Sequence, residues 1–161
     1  MNIFILDQDM QKNVKSYTNK HVVKMCLETC QMLANAYYFT DQVELAPYKI
    51  NHPYHRCSRW VIESLSNWLW MREFGLEMCK EYTYRYNKHH KCEQIMKDMV
   101  VPNLKDIGLT EHVIDVEDLI KAGYDAPLDV VEAYRKYYNV CKRHLFKWKN
   151  REVPEWITKA I

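Results

Sequence analysis

Glycine and proline are scarce in this chain, with three and five residues among 161, while 48% of the residues are hydrophobic. That pairing excludes a disordered or low-complexity chain, which has the opposite balance, and predicts a folded core. Charge of one sign is also lacking. A net charge of +2 excludes a domain held to nucleic acid by overall basicity and leaves only a local basic patch. No run approaches the roughly 20 apolar residues that a membrane-crossing helix requires, so no membrane partner is expected. Met1–Leu6 is too short for the apolar stretch of a secretory signal. The six cysteines, Cys26, Cys30, Cys57, Cys79, Cys92 and Cys141, contain no C-x-x-C pair. Reduced and mostly buried thiols in a cytoplasmic protein are the expectation. No repeat or interdomain linker interrupts the chain, which reads as one domain over residues 1–161.

The patterning that is present is helical. The fold expected is mainly α: a single-domain helical bundle around a long central helix, with a short extended N-terminal segment. Met1–Leu6 is β-prone and apolar, reading as an edge strand or a tail tucked onto helices. A first helix, capped by Ser16, Thr18 or Asn19 and running to about Phe39, repeats Val22, Val23, Cys26, Leu27, Cys30, Leu33, Ala34 and Tyr37 at helical spacing. A loop from Thr40 to Cys57 follows. From Ser58, read as an N-cap, to Tyr86 the apolar residues cover more than one face, which places this helix in the middle of the fold. Gly75 within it marks a close helix crossing or a bend. Weaker signals put a helix in Lys88–Val100, a short one near Val116–Lys121, and a last one from Asp125 and Pro127 to about Leu145.

Several polar constellations could carry chemistry. His21, Lys24, Glu28, Gln31 and Asn35 share one stripe of the first helix. They read either as a solvent-facing row with a Lys24–Glu28 ion pair or as one wall of a site. Glu63 and Asn67, a turn apart on the central helix, would face Lys24 and Glu28 in a polar pocket walled by Trp60. The same residues would serve a purely structural charge network. Asn51, His52, Arg56 and Arg59 gather before a helix N-terminus, where an anion such as phosphate is attracted. His52, His55 and Cys57 have spacings a metal could use, but a second ligand pair is not evident, and no metal or other cofactor is assigned. Tyr84 and Arg85, within a basic and aromatic string, offer base stacking and phosphate neutralisation or else a packed helix end. Lys142, Arg143, Lys147, Lys149 and Arg151 make the most basic stretch, a candidate clamp for a nucleic-acid backbone.

The blocks Asn19–Leu33, Asn51–Pro53, Trp60 with Glu63–Ser64, and Glu81–Tyr86 resemble an uncharacterised family of phage and bacterial proteins. A more distant resemblance is to the phage-type pyrimidine-dimer DNA glycosylases, through His21 and Glu28 at a His-x6-Glu spacing and the aromatic, basic C-terminus. That resemblance implies DNA or a nucleotide as partner, in the host cytoplasm if the chain is phage-encoded. It implies Glu28 as acid/base with His21 beside it, and an attacking amine belonging to Lys24 or to Met1. Asn51, His52, Arg56, Arg59, Trp60, Glu63, Asn67, Tyr84 and Arg85 would bind substrate. The expected activity is base excision with possible strand cleavage. A nucleotide-sequestering protein without catalysis, and a metal-dependent hydrolase built on His21, His52, Glu28 and Glu63, are the alternatives.

Overall fold

A computed structural model describes residues 2–159; the Met1 amine lies outside the described residues. The architecture is mainly α, with no strand among the described residues. In chain order the helices are α1 (Met10–Ser16), α2 (Asn19–Phe39), α3 (Arg56–Glu63), α4 (Leu65–Tyr86), α5 (Lys91–Asp98), α6 (Glu117–Lys121) and α7 (Val130–Cys141), with single 3-10 turns at Val43–Leu45 and Arg143–Leu145. None is long and apolar enough to cross a membrane.

The N-terminal segment is extended but pairs with no strand. Ile3, Phe4, Ile5 and Leu6 are buried, so their backbone polar groups need partners away from water. Side chains provide them. Tyr17 Oη donates to Phe4 O (2.6 Å), Leu6 N–H donates to Asn13 Oδ1 (2.7 Å), and Arg135 Nε donates to Leu6 O (2.7 Å). The tail is thereby fixed against α1, α2 and α7 as part of the core.

The central helix differs from its sequence expectation. Residues 58–86 form two helices separated at Ser64, whose backbone is extended (φ −147°, ψ 145°). The cause lies some forty residues downstream. Asp106 Oδ1 accepts from Ser64 Oγ (3.0 Å), Ser66 Oγ (2.7 Å) and Ser66 N–H (3.2 Å), and Lys105 O accepts from Leu65 N–H (3.1 Å). The orphan donors of a helix N-terminus are satisfied there by the loop, so α4 begins anew instead of continuing α3. The start of α3 also moves. His55, not Ser58, caps it, with Nδ1 accepting from Cys57 N–H at 3.2 Å.

Helix α4 packs against α1, α2, α3 and α5. Its Trp68 is fully buried and donates its indole N–H to Leu33 O of α2 (3.1 Å). Gly75 sits where α2, α4 and α5 meet: a Cβ there would lie 2.6 Å from Thr29 Cγ2 and 2.5 Å from Met96 Sδ. This is the close crossing expected from sequence. The Met96 thioether can swing away, but Thr29 is fully buried and branched. Gly75→Ala should therefore lose about 1–2 kcal/mol of stability, the overpacking outweighing the gain in helix propensity. A urea midpoint unchanged or raised in that variant would refute the close approach.

Candidate functional site

The α2 stripe divides along its length. His21 is only 7% exposed; its Nδ1 lies 2.6 Å from Tyr138 Oη and its ring stacks on Phe4 at 4.8 Å. Burial, reinforced by the positive charges of Lys142 and Lys24, pushes its pKa down to about 3. It is a neutral core imidazole packed among aromatic rings. One turn on, Lys24 is exposed (58% of its side chain), and its Nζ is 3.3 Å from Glu28 Oε1. The burial that would activate a lysine amine is absent at this position. Glu28 itself is largely covered (15%), and it exerts its charge on His55 across the inter-helix loop. Gln31 and Asn35 then tie down that loop. Asn35 holds Asn51 through both backbone groups (2.8 and 3.0 Å), and Asn51 Nδ2 donates to Gln31 Oε1 (3.0 Å).

The loop thus delivers His55 to the start of α3, within electrostatic reach of Glu28. His52, exposed and in the left-handed region (φ 42°), makes the turn with its carbonyl accepting from His55 N–H (3.1 Å). His55 Nε2 lies 3.5 Å from Asp115 Oδ2. Since Nδ1 is occupied by the helix cap, the neutral imidazole carries its proton on Nε2, toward that carboxylate. Burial lowers the His55 pKa, outweighing the opposing pull of Asp115 and Glu28. A groove of about 400 Å³ runs here, lined by Tyr54, His55, Arg56, Ile114, Asp115 and Glu117 among others. Tyr54 is 75% exposed.

On the other side of Arg56 lies a second groove of about 590 Å³, lined by Arg56, Arg59, Trp60, Glu63, Phe39 and Glu111 among others. Arg56 and Arg59 are exposed at the first turn of α3, where the helix dipole adds to their positive charge. Glu63 accepts from Thr110 Oγ1 (2.9 Å). Asn67 is fully buried, donating to Trp60 O and Thr110 Oγ1 (2.8 Å each). The expected pairing of Lys24 and Glu28 with Glu63 and Asn67 is therefore not what these carboxamide and carboxyl groups do; they fasten the 99–116 loop instead.

Tyr84 and Arg85 separate completely. Tyr84 is exposed (54%) under the Arg151 guanidinium, 3.7 Å from the ring centroid. Together with Lys12, Lys15, Arg135 and Trp156 they line a wide groove of about 740 Å³. Arg85 is 1% exposed and bonded to Glu81, Tyr17 O, Lys15 O and Asn19 Oδ1. It holds the fold and offers nothing to a phosphate. Nor do His21, His52, Glu28 and Glu63 assemble as a metal-ligand set. Among the described residues, the compact groups of potential ligands are His55 with Cys57 and Asp115, and Cys26 with Cys79 and His90. Asp115 and His112 were not flagged by sequence, because 101–123 carries no periodic pattern. His112 is wedged between Trp60 (4.6 Å) and Trp70 (4.4 Å), and burial takes its pKa down to about 4.

No model of a known protein family matches the chain, and no curated protein or solved structure shows significant similarity to it.

Proposed function

We propose that the chain is a DNA- or nucleotide-directed enzyme, most concretely a DNA base-excising glycosylase with AP-lyase activity. The observation that carries this reading is the arrangement at the start of α3. His55 pairs with Asp115 at 3.5 Å and lies within the field of Glu28, beside Arg56 in an open groove. Cleaving a glycosidic bond calls for a carboxyl group that can protonate the departing base. Glu28, within electrostatic reach of His55, takes that role. Arg56 and Arg59 bind the flanking phosphates, and Tyr54, 75% exposed, stacks on the extruded base, whereas Trp60, at 3%, is held in the core. An amine, that of Lys24 or the α-amine of Met1, adds to the sugar C1′ as the bond to the base breaks. The resulting imine opens the way to strand scission.

Borohydride trapping on a duplex with an abasic site tests this. Attack of the amine on the C1′ aldehyde expels water and leaves an imine, which hydride reduces to a stable cross-link. Wild type should give the cross-link, Lys24→Gln should locate the amine by its loss or persistence, and Glu28→Gln should slow base release by roughly 10²–10⁴-fold. Absence of any adduct with wild type, on substrates it binds, sinks the lyase chemistry.

The exposed, ion-paired state of Lys24 favours a second reading, a nucleotide-binding protein without catalysis. It predicts stoichiometric binding of a nucleotide that is recovered unchanged after denaturation.

A further inference from the structure

Away from the α3 grooves, four of the six thiols converge where α2, α4 and α5 meet. Cys26 and Cys30 stand one turn apart on α2, Cys79 lies on α4 and Cys92 on α5, all at 1% exposure or less. A thiol or imidazole from each of Cys26, Cys79 and His90 lies within 4.8 Å of the others. Cys92 lies two residues beyond His90, with Cys30 S–H donating to its sulfur and Tyr48 Oη 3.4 Å from it. His90 Nδ1 accepts from Cys92 N–H (3.1 Å) as the cap of α5, and its ring meets Tyr82 edge-on at 5.0 Å. We propose that Cys26, Cys79 and His90 hold a structural zinc ion that pins α2, α4 and α5 together, with the Cys92 sulfur turning in to close the fourth position.

Sulfur-rich, closed and tetrahedral coordination is what Zn²⁺ takes in structural sites. Bonds of about 2.3 Å to sulfur place ligand atoms about 3.8 Å apart in a tetrahedron, so the Cys26, Cys79 and His90 atoms need to close up by about 1 Å at most. Changes of thiol rotamer move sulfurs that far. On binding, the three thiols release their protons to solvent, and His90 gives a ring-nitrogen lone pair to the metal. Cys30 and Tyr48 then serve as outer donors to the Cys92 sulfur, the kind of support that orients metal-bound cysteines. The consequence is mechanical. Helix α5 has eight residues and otherwise rests on contacts such as Arg72 Nε to Met96 O (2.9 Å); the ion would make its docking part of the cooperative fold.

The full chain, purified under reducing conditions, should retain about one zinc ion per molecule. Replacement by Co²⁺ should give thiolate-to-metal charge-transfer bands in the near ultraviolet and tetrahedral d–d bands in the red. Adding zinc to the apo protein should raise the thermal midpoint by roughly 10 °C. Cys79→Ser should abolish the charge-transfer bands, whereas Cys57→Ser, in the other compact group, should leave them intact. Because Cys79→Ser could simply unfold, the wild-type measurements stand alone. No cobalt bands and no zinc-dependent shift in the midpoint would overturn the site, and bands lost in Cys57→Ser but kept in Cys79→Ser would overturn it in favour of the His55 group.

Discussion

Glu81→Leu is expected to destabilise the protein by about 3–5 kcal/mol, a large share of the stability of a domain of this size. The Arg85 guanidinium is fully enclosed, with 0% of its side chain exposed, and Glu81 is 3% exposed. Its Nε donates to Glu81 Oε1 at 2.7 Å, while Arg151 engages the same carboxylate through Nε and Nη2 at 2.9 Å each. Burial alone would raise the Glu81 carboxyl; the Arg151 and Arg85 hydrogen bonds overcome that and hold its pKa below the usual carboxylate value. Removing the carboxylate leaves a buried cation facing only neutral acceptors, the carbonyls of Lys15 and Tyr17 and the Asn19 side chain. Those carbonyls belong to the end of α1, so the same arginine closes that helix and fastens the end of α4 to the α1–α2 turn. The double variant Glu81→Leu/Arg85→Met should recover much of the loss, since it leaves no fully buried charge unpaired, Arg151 being partly exposed to solvent (23%). Urea denaturation of the three proteins decides it: a Glu81→Leu midpoint near wild type would show that the pair contributes little.

This network also marks where sequence reading stops. The string Glu81–His90 is basic and aromatic, and composition alone could not tell a ligand-facing surface from a packed helix end. Both exist within it, one residue apart: Tyr84 is exposed and Arg85 is sealed. Helical periodicity on α2 was legible because apolar residues at spacing 3 and 4 report one buried face, and the helix runs Asn19–Phe39 as the spacing requires. The break at Ser64 was not legible, because the acceptor that replaces the helical ladder is Asp106, in a stretch without pattern. Helix α1 has a local signal in Asp9, whose side chain caps Lys12 N–H at 2.9 Å, but seven residues carry too little periodicity to be read. The loop's attachment to the polar stripe was legible, since Asn51 does meet Gln31 and Asn35. The His55 partner Asp115 was not, nor was the cysteine cluster, because three helices far apart in sequence build it.

Acidification should begin to destabilise the protein well above the carboxylate range, and His21 is the principal reason. Its pKa is about 3 when folded against an ordinary 6.5. At pH 7 both states hold it neutral. As the pH drops below 6.5 the unfolded chain takes up a proton that the folded chain refuses, so stability declines until about pH 3, where the folded imidazole also protonates. At about 1.4 kcal/mol per pH unit, the full shift corresponds to about 3–5 kcal/mol. His112, lowered to about 4 by its burial, acts in the same direction over a narrower window. Glu81 and Glu93, whose pKa values are lowered, lose their contributions only at lower pH, which separates the two causes. His21→Gln keeps an acceptor for Tyr138 Oη and removes the titration. Between pH 6 and 5 its stability should fall less steeply than that of wild type, by about 1.4 kcal/mol per pH unit. Guanidinium midpoints measured across that interval give the answer, and parallel curves for the two proteins would show that the imidazole protonates equally well folded and unfolded.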